Sequence, residues 1–175
     1  MAPVKTERIL EALIVVCLGL LVWTIAGTYQ VRNVVAGDTA PSFTVTTDDG
    51  RTISPRSFGG KLLVVHFWAT WCPPCVTEMP SLSEFQRQYA SAGVVVLGIS
   101  VDQSGKAYRD FLQRNKVAFA TARDPEAKIA SDYGTFAYPE TYIVNREGKV
   151  IEKIISNADW MDPERQSVIR AMLGS

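Results

Sequence analysis

The sequence predicts an α/β domain, a central mixed β-sheet flanked by helices, preceded by one N-terminal transmembrane helix. Three observations carry that expectation. An uncharged run extends from Ala12 to Val31. Two compact apolar runs, Leu62 to Trp68 and Val94 to Val101, bracket a stretch with helical spacing. A hairpin pattern around residues 146–149 is followed by a final helix-start signal at Asp162-Pro163-Glu164. Strand, helix, strand in that order makes a parallel βαβ unit with a right-handed crossover.

The chain has 175 residues, enough for one domain and an appendage. Hydrophobic residues make up 47% and charged residues 21%, the balance of a globular protein rather than a disordered one. Eighteen basic side chains offset eighteen acidic ones, and no basic block or aromatic-interleaved patch suggests nucleic-acid binding. Residues 1–11 read as a short cytoplasmic N-terminus. Residues 12–31, at about 1.5 Å each, span roughly the 30 Å of bilayer hydrocarbon. Lys5 and Arg8 precede the run, and Trp23 and Tyr29 suit an interfacial end. This orientation leaves the bulk of the chain outside the cytoplasm. A cleaved signal peptide would have a shorter apolar core and a small-residue cleavage site, and Val34-Val35-Ala36 matches one poorly. Cys17, inside the run, reads as a small apolar side chain.

Residues 32–37 form a linker, and residues 38–175 the domain. Asp48-Asp49-Gly50, between Thr- and Val-rich residues, marks a first hairpin. Leu62–Trp68 and Val94–Val101 look buried on both faces. Between them Val76, Met79, Leu82, Phe85 and Tyr89 recur at helical spacing, and Pro80 should kink that helix. Tyr108, Phe111 and Leu112 mark a second helix. Asp124-Pro125-Glu126 reads as N-cap, first-turn proline and first-turn acid of a third, closed by Gly134. Tyr142–Asn145 and Val150–Ile155 are the strands of the second hairpin. Val168, Ile169, Met172 and Leu173 give the last helix its apolar stripe.

Chemistry concentrates in Trp71-Cys72-Pro73-Pro74-Cys75. Both cysteines fall between a strand end and a helix start, where free backbone N–H groups and the helix dipole favour an anion. A thiolate is such an anion, so the pKa of Cys72 should fall below its free value of about 8.5. The i, i+3 spacing lets the two sulfurs close a short-loop disulfide, and the prolines stiffen the first turn. A zinc site would need about four ligands, but one histidine and one distant cysteine remain. A purely structural disulfide across so short a loop would add little stability.

Phe67-Trp68-Ala69-Thr70-Trp71-Cys72-Pro73-Pro74-Cys75 resembles the active-site segment of the thioredoxin superfamily, and Tyr138-Pro139-Glu140-Thr141 resembles its cis-proline loop. With the N-terminal apolar run and Ala40-Pro41-Ser42-Phe43, the sequence looks like the membrane-anchored TlpA/ResA/CcmG-type reductases over about Gly37 to Leu173. The resemblance implies a thioredoxin-like fold. It makes Cys72 the attacking thiol and Cys75 the resolving one. Pro139 becomes the cis-proline, with Trp71, Tyr138 and Glu140 against the substrate. Pro80 matches the kink proline. Glu78, one turn after Cys75, matches an acidic residue placed near the sulfurs, where a raised pKa would suit it to passing protons. One position departs from the pattern. Thioredoxin has a buried aspartate where this chain has His66, which becomes either a packed neutral imidazole or a proton relay.

The function implied is an extracytoplasmic, single-pass thiol–disulfide oxidoreductase that reduces disulfides of exported proteins, apocytochrome c among the client types. It would need no organic cofactor and no metal, and it would draw electrons from a membrane donor. A disulfide-forming oxidant could use the same site, since redox poise depends on how strongly the reduced thiolate is stabilised. A peroxiredoxin is suggested by Gly98-Ile99-Ser100-Val101-Asp102, but Ala69 stands where the peroxidatic threonine would be. A copper-binding chaperone on the same fold would want wider cysteine spacing and a histidine downstream.

Overall fold

A computed structural model describes residues 3–28 and 33–174, with side chains in the first stretch described for residues 7–24. The chain divides into two compact units, 1–32 and 33–175. The first unit is one helix, α1 (Pro3–Thr28). Its apolar side chains are uncovered: Leu13, Val16, Leu20, Leu21 and Trp23 are all more than half exposed. The described side chains include Glu7, Arg8 and Glu11, and among the described residues no helix is long and apolar enough to cross a membrane. The expected span 12–31 runs past the described side chains, and Tyr29 and Arg32 lie outside the described residues.

In the second unit the most apolar runs become the sheet's centre. Strand β3 (Leu62–Trp68) is buried along its whole length, as a strand covered on both faces must be. It lies between two partners. Strand β4 (Val94–Ser100) runs parallel to it in the register Val64↔Val96, after a crossover through helix α2 (Pro73–Tyr89). Strand β6 (Glu140–Asn145) runs antiparallel in the register Phe67↔Glu140 and continues through a hairpin into β7 (Val150–Ile155). A short strand, β5 (Ala120–Arg123), pairs parallel with β4, giving the order β5-β4-β3-β6-β7. The Asp48–Gly50 turn joins β1 (Val45–Thr46) to β2 (Thr52–Ile53) in a separate small sheet, with Gly50 at φ 83°.

Consecutive residues of a strand point to opposite faces. Trp68 packs its ring on Tyr108 and Phe111 of α3 (Gly105–Asn115), whereas Phe67 packs on Tyr133 of α4 (Lys128–Tyr133). Helices therefore cover both faces. Gly98 on β4 is there for want of space: a Cβ would sit 2.8 Å from Phe119 and 3.0 Å from the Trp68 indole nitrogen. The C-terminal helix α5 (Pro163–Gly174) starts where Asp162 Oδ1 accepts from the N–H groups of Glu164 and Arg165.

Four details differ from the sequence reading. β5 was not foreseen, because Ala120-Thr121-Ala122-Arg123 has neither the length nor the β-branched density of a strand signal. Asp124 does cap α4, accepting from the N–H groups of Lys128, Ile129 and Ala130, but from three residues before the cap position, where Ala127 takes a left-handed conformation. Val168 is 45% exposed, so the buried stripe of α5 narrows to Ile169 with Met172 and Leu173 partly covered. The expected linker is docked: Val34 is buried and its N–H donates to Tyr133 O, while Gly37 N–H donates to Val150 O.

Candidate active site

The site grows from the C-terminal end of β3. Val101 N–H donates to Trp68 O and carries the parallel pairing one step past the strand. The chain then turns, and Asp102 holds the turn. Its carboxylate accepts from Thr70 N–H at 2.9 Å, Thr70 Oγ1 at 2.7 Å and Ser100 Oγ at 2.6 Å, and the residue is 2% exposed. Cys72 follows as the N-cap of α2, with extended φ and ψ of −98° and 103°. Pro73 and Pro74 open the helix where their missing N–H groups cost nothing. Cys75 N–H donates to Cys72 Sγ at 3.3 Å, so a helix-terminal donor is aimed at the sulfur that would carry charge.

Cys72 and Cys75 are joined by a disulfide with Cα atoms 5.3 Å apart. Cys75 is fully buried and Cys72 is 4% exposed, so Cys72 carries the accessible edge of the bond. Trp71 beside it is 64% exposed. The Phe67↔Glu140 register brings the start of β6 to the same end of the sheet, and with it the cis bond between Tyr138 and Pro139. The Trp71 and Tyr138 rings meet edge to face at 6.0 Å. Phe136, in the same loop, is exposed. Together they form an aromatic rim beside the disulfide.

Beneath the rim the sheet separates the remaining groups. Glu140, expected against the substrate, is 5% exposed; its carboxylate is 2.6 Å from Lys153 Nζ, and the Tyr142 hydroxyl stands 3.1 Å away. Lys153 also donates to Asn33 Oδ1, so Glu140 closes an internal ion pair instead of facing a partner. His66 points to the opposite face. It is fully buried, its Nδ1 is 2.9 Å from Thr141 Oγ1, and its Nε2 has no partner. Burial pulls its pKa down to about 3, so the imidazole stays neutral near neutrality. Among the described residues, no polar group apart from the Thr141 hydroxyl is hydrogen-bonded to the ring.

Glu78 occupies the next turn of α2 after Cys75, on the same helical face. It is 2% exposed. Oε1 accepts from Trp160 Nε1–H at 2.5 Å, and Oε2 is buried without a partner. Burial pushes the carboxyl up to about 7, against the opposing pull of the Trp160 N–H, the Ala158 N–H and the Arg165 charge. The family resemblance had singled out Glu78, one turn after Cys75. The sequence reading missed Asp102, Trp160 and Lys153, which reach the site only through tertiary contacts and stand at no diagnostic distance from the cysteines.

Chemically, such a pair accepts two electrons on opening to a dithiol and returns them on closing, with a carboxyl of suitable pKa one turn away. The molecule is an enzyme of thiol–disulfide exchange, a thiol–disulfide oxidoreductase on a thioredoxin-like fold. Known proteins bear this out. Residues 36–153 match the AhpC/TSA family, and the chain belongs to it. It is 34% identical over 118 residues to the thiol-disulfide oxidoreductase ResA of Bacillus thuringiensis subsp. konkukian, covering 67% of this chain and 68% of that one. The thioredoxin-like protein YneN of Bacillus subtilis is 34% identical over 142 residues, 79% of this chain and 83% of that one. Among solved structures, a thiol:disulfide interchange protein of Chlorobium tepidum superposes with a TM-score of 0.66 at 27% identity, over 81% of this chain and 99% of that one. StoA of Bacillus subtilis shares the fold, with a TM-score of 0.64 at 23% identity over 76% of this chain and 96% of that one.

Proposed function

We propose that this oxidoreductase works as a reductant of disulfides in exported proteins, held by its N-terminal helix at the extracytoplasmic face of the cytoplasmic membrane. The Cys72 thiolate attacks one sulfur of a client disulfide, forming a mixed disulfide and releasing a client thiolate. Cys75 then loses its proton to the Glu78 carboxylate and attacks Cys72 Sγ. The second client thiolate leaves, the Cys72–Cys75 disulfide closes, and the client has gained two electrons. Glu78 returns its proton to a departing thiolate. A membrane thiol donor reopens the disulfide, and no cofactor enters the cycle. Clients are cysteine-bearing exported chains of the apocytochrome c type, with Trp71, Tyr138 and Pro139 as their contact surface.

The observation that carries this reading is the buried, half-partnered Glu78 carboxyl one turn behind a helix-capping cysteine. A group held near pH 7 takes and gives a proton readily at neutral pH. The membrane placement is supported by the exposed apolar side chains of α1. A redox titration of the protein against glutathione and dithiothreitol tests the direction. A reductant should lie toward thioredoxin at about −270 mV, whereas a value near the roughly −120 mV of a strong oxidant would reverse the assignment.

A further inference from the structure

Beyond the sulfurs, the group that sets the working of Glu78 is an indole from the far end of the chain. After β7 the backbone turns at Ser156, whose φ is 73° and whose N–H donates to Pro139 O. This bond carries the β6–β7 pairing one step further, to the cis-proline. Trp160 follows, fully buried, with its ring against Phe85 of α2 at 5.0 Å between centroids. Its backbone N–H donates to Ser81 Oγ, and Ser81 Oγ donates to the Glu78 carbonyl. The Arg165 guanidinium lies 5.4 Å from the ring centroid and reaches on toward Glu152. The indole is thus fixed by α2, by its own backbone and by α5. Its single polar atom donates to Glu78 Oε1.

We propose that Trp160 is the positioning residue of Glu78. Its N–H pins one carboxylate oxygen and leaves the other, Oε2, as the atom that gains and loses the proton. This rests on the reading of Glu78 as the proton carrier of the exchange. The N–H is a donor only, so it favours the ionised carboxyl and holds down a pKa that burial raises. Other groups bear on the same carboxyl: Arg165 from α5 lowers it, and the Ala158 N–H does the same from the preceding loop. Glu152 of β7 is engaged with Arg165. His66 on β3 is neutral and adds no charge. Trp160 donates from a rigid ring packed on Phe85 of α2.

The test removes the N–H and keeps the ring. Full-length chain in detergent is prepared as wild type, Trp160→Phe and Glu78→Gln, and with benzothienylalanine placed at position 160. That last side chain is an isostere of tryptophan without the N–H, and it decides the matter should Trp160→Phe fold poorly. The Glu78 carboxyl resonance, assigned by its loss in Glu78→Gln, is titrated in the oxidised protein. Its midpoint should rise by about one pH unit in both variants lacking the N–H. The midpoint of the Cys75 resolving step, read as decay of a Cys72 mixed disulfide, should rise with it. An unmoved carboxyl midpoint overturns the positioning role. The separate result that Glu78→Gln retains the resolving-step midpoint would sink the proton-carrier reading, while the carboxyl titration still decides the role of Trp160.

Discussion

Glu78 and His66 titrate in opposite senses, and the stability of the folded domain against pH exposes both. The folded Glu78 carboxyl holds its proton up to about pH 7, the unfolded one only to 4.5. The folded state therefore binds more protons between those values, and stability falls as pH rises through them. At roughly 1.4 kcal/mol per tenfold change, the interval from 4.5 to about 7 amounts to about 3 kcal/mol. His66 acts the other way. Its folded pKa of about 3 lies below 6.5, so the unfolded state binds the extra proton and stability rises with pH, by about 5 kcal/mol over that interval. Both side chains are buried, so solvent screening discounts neither figure much. Between about pH 4.5 and 6.5 the two slopes cancel, and the wild-type curve should be nearly flat there.

Single substitutions separate them. Glu78→Gln keeps an oxygen for the Trp160 N–H and removes the titration, so its stability should climb with pH from about 3 to 6.5 and stay high to pH 8. His66→Asn should show the opposite, a decline of about 3 kcal/mol between pH 4.5 and 7. The assay is urea unfolding of residues 33–175 in the disulfide form at half-unit steps of pH, with equal m-values as the control. A difference curve between Glu78→Gln and wild type that stays level from pH 4 to 8 would refute the reasoning, because it would mean that burial does not perturb the carboxyl.

Other outcomes are expected along with these. Cys72 should be alkylated much faster than Cys75 at neutral pH, and Cys75→Ser should trap a Cys72–client mixed disulfide; faster alkylation of Cys75 would reverse the assignment. A C-terminal reporter active only after export should be active on this chain while it stays membrane-bound. Mature protein beginning near Gly37 would instead mark the apolar run as a cleaved signal. Gly98→Ala should destabilise by about 1–3 kcal/mol in urea unfolding, because Phe119 and the Trp68 indole occupy the space of the added methyl.

The features that the sequence made legible are those whose cause is local. A fully apolar run such as Leu62–Trp68 has few fates besides a central strand, and Asp48-Asp49-Gly50 or Glu147-Gly148-Lys149 meets the φ demands of a turn directly. The cysteine pair was legible for the same reason: strand end, helix start and i, i+3 spacing are all contained within a dozen residues. β5 was hidden because its strand character comes from pairing with β4, and the docked position of Asn33–Gly37 because it depends on partners in α4 and β7.

The carboxylates show where such reading stops. Asp102, Glu78 and Glu140 are all nearly fully buried near one end of the sheet, and nothing in their local sequence tells them apart. Their partners do. Asp102 receives two donors from Thr70, in the loop that carries Cys72, and one from Ser100 of β4, so its role is to hold Thr70, and each lost bond would loosen the turn. Glu140 is matched by Lys153, a full countercharge 2.6 Å away. Glu78 alone has a buried oxygen with no partner, and its donors are too few to offset the cost of burying its charge. That unfinished carboxyl is the one that burial pushes toward taking a proton near neutral pH. Residues from Ala158 to Arg165, some eighty positions away in sequence, decide how readily it does so.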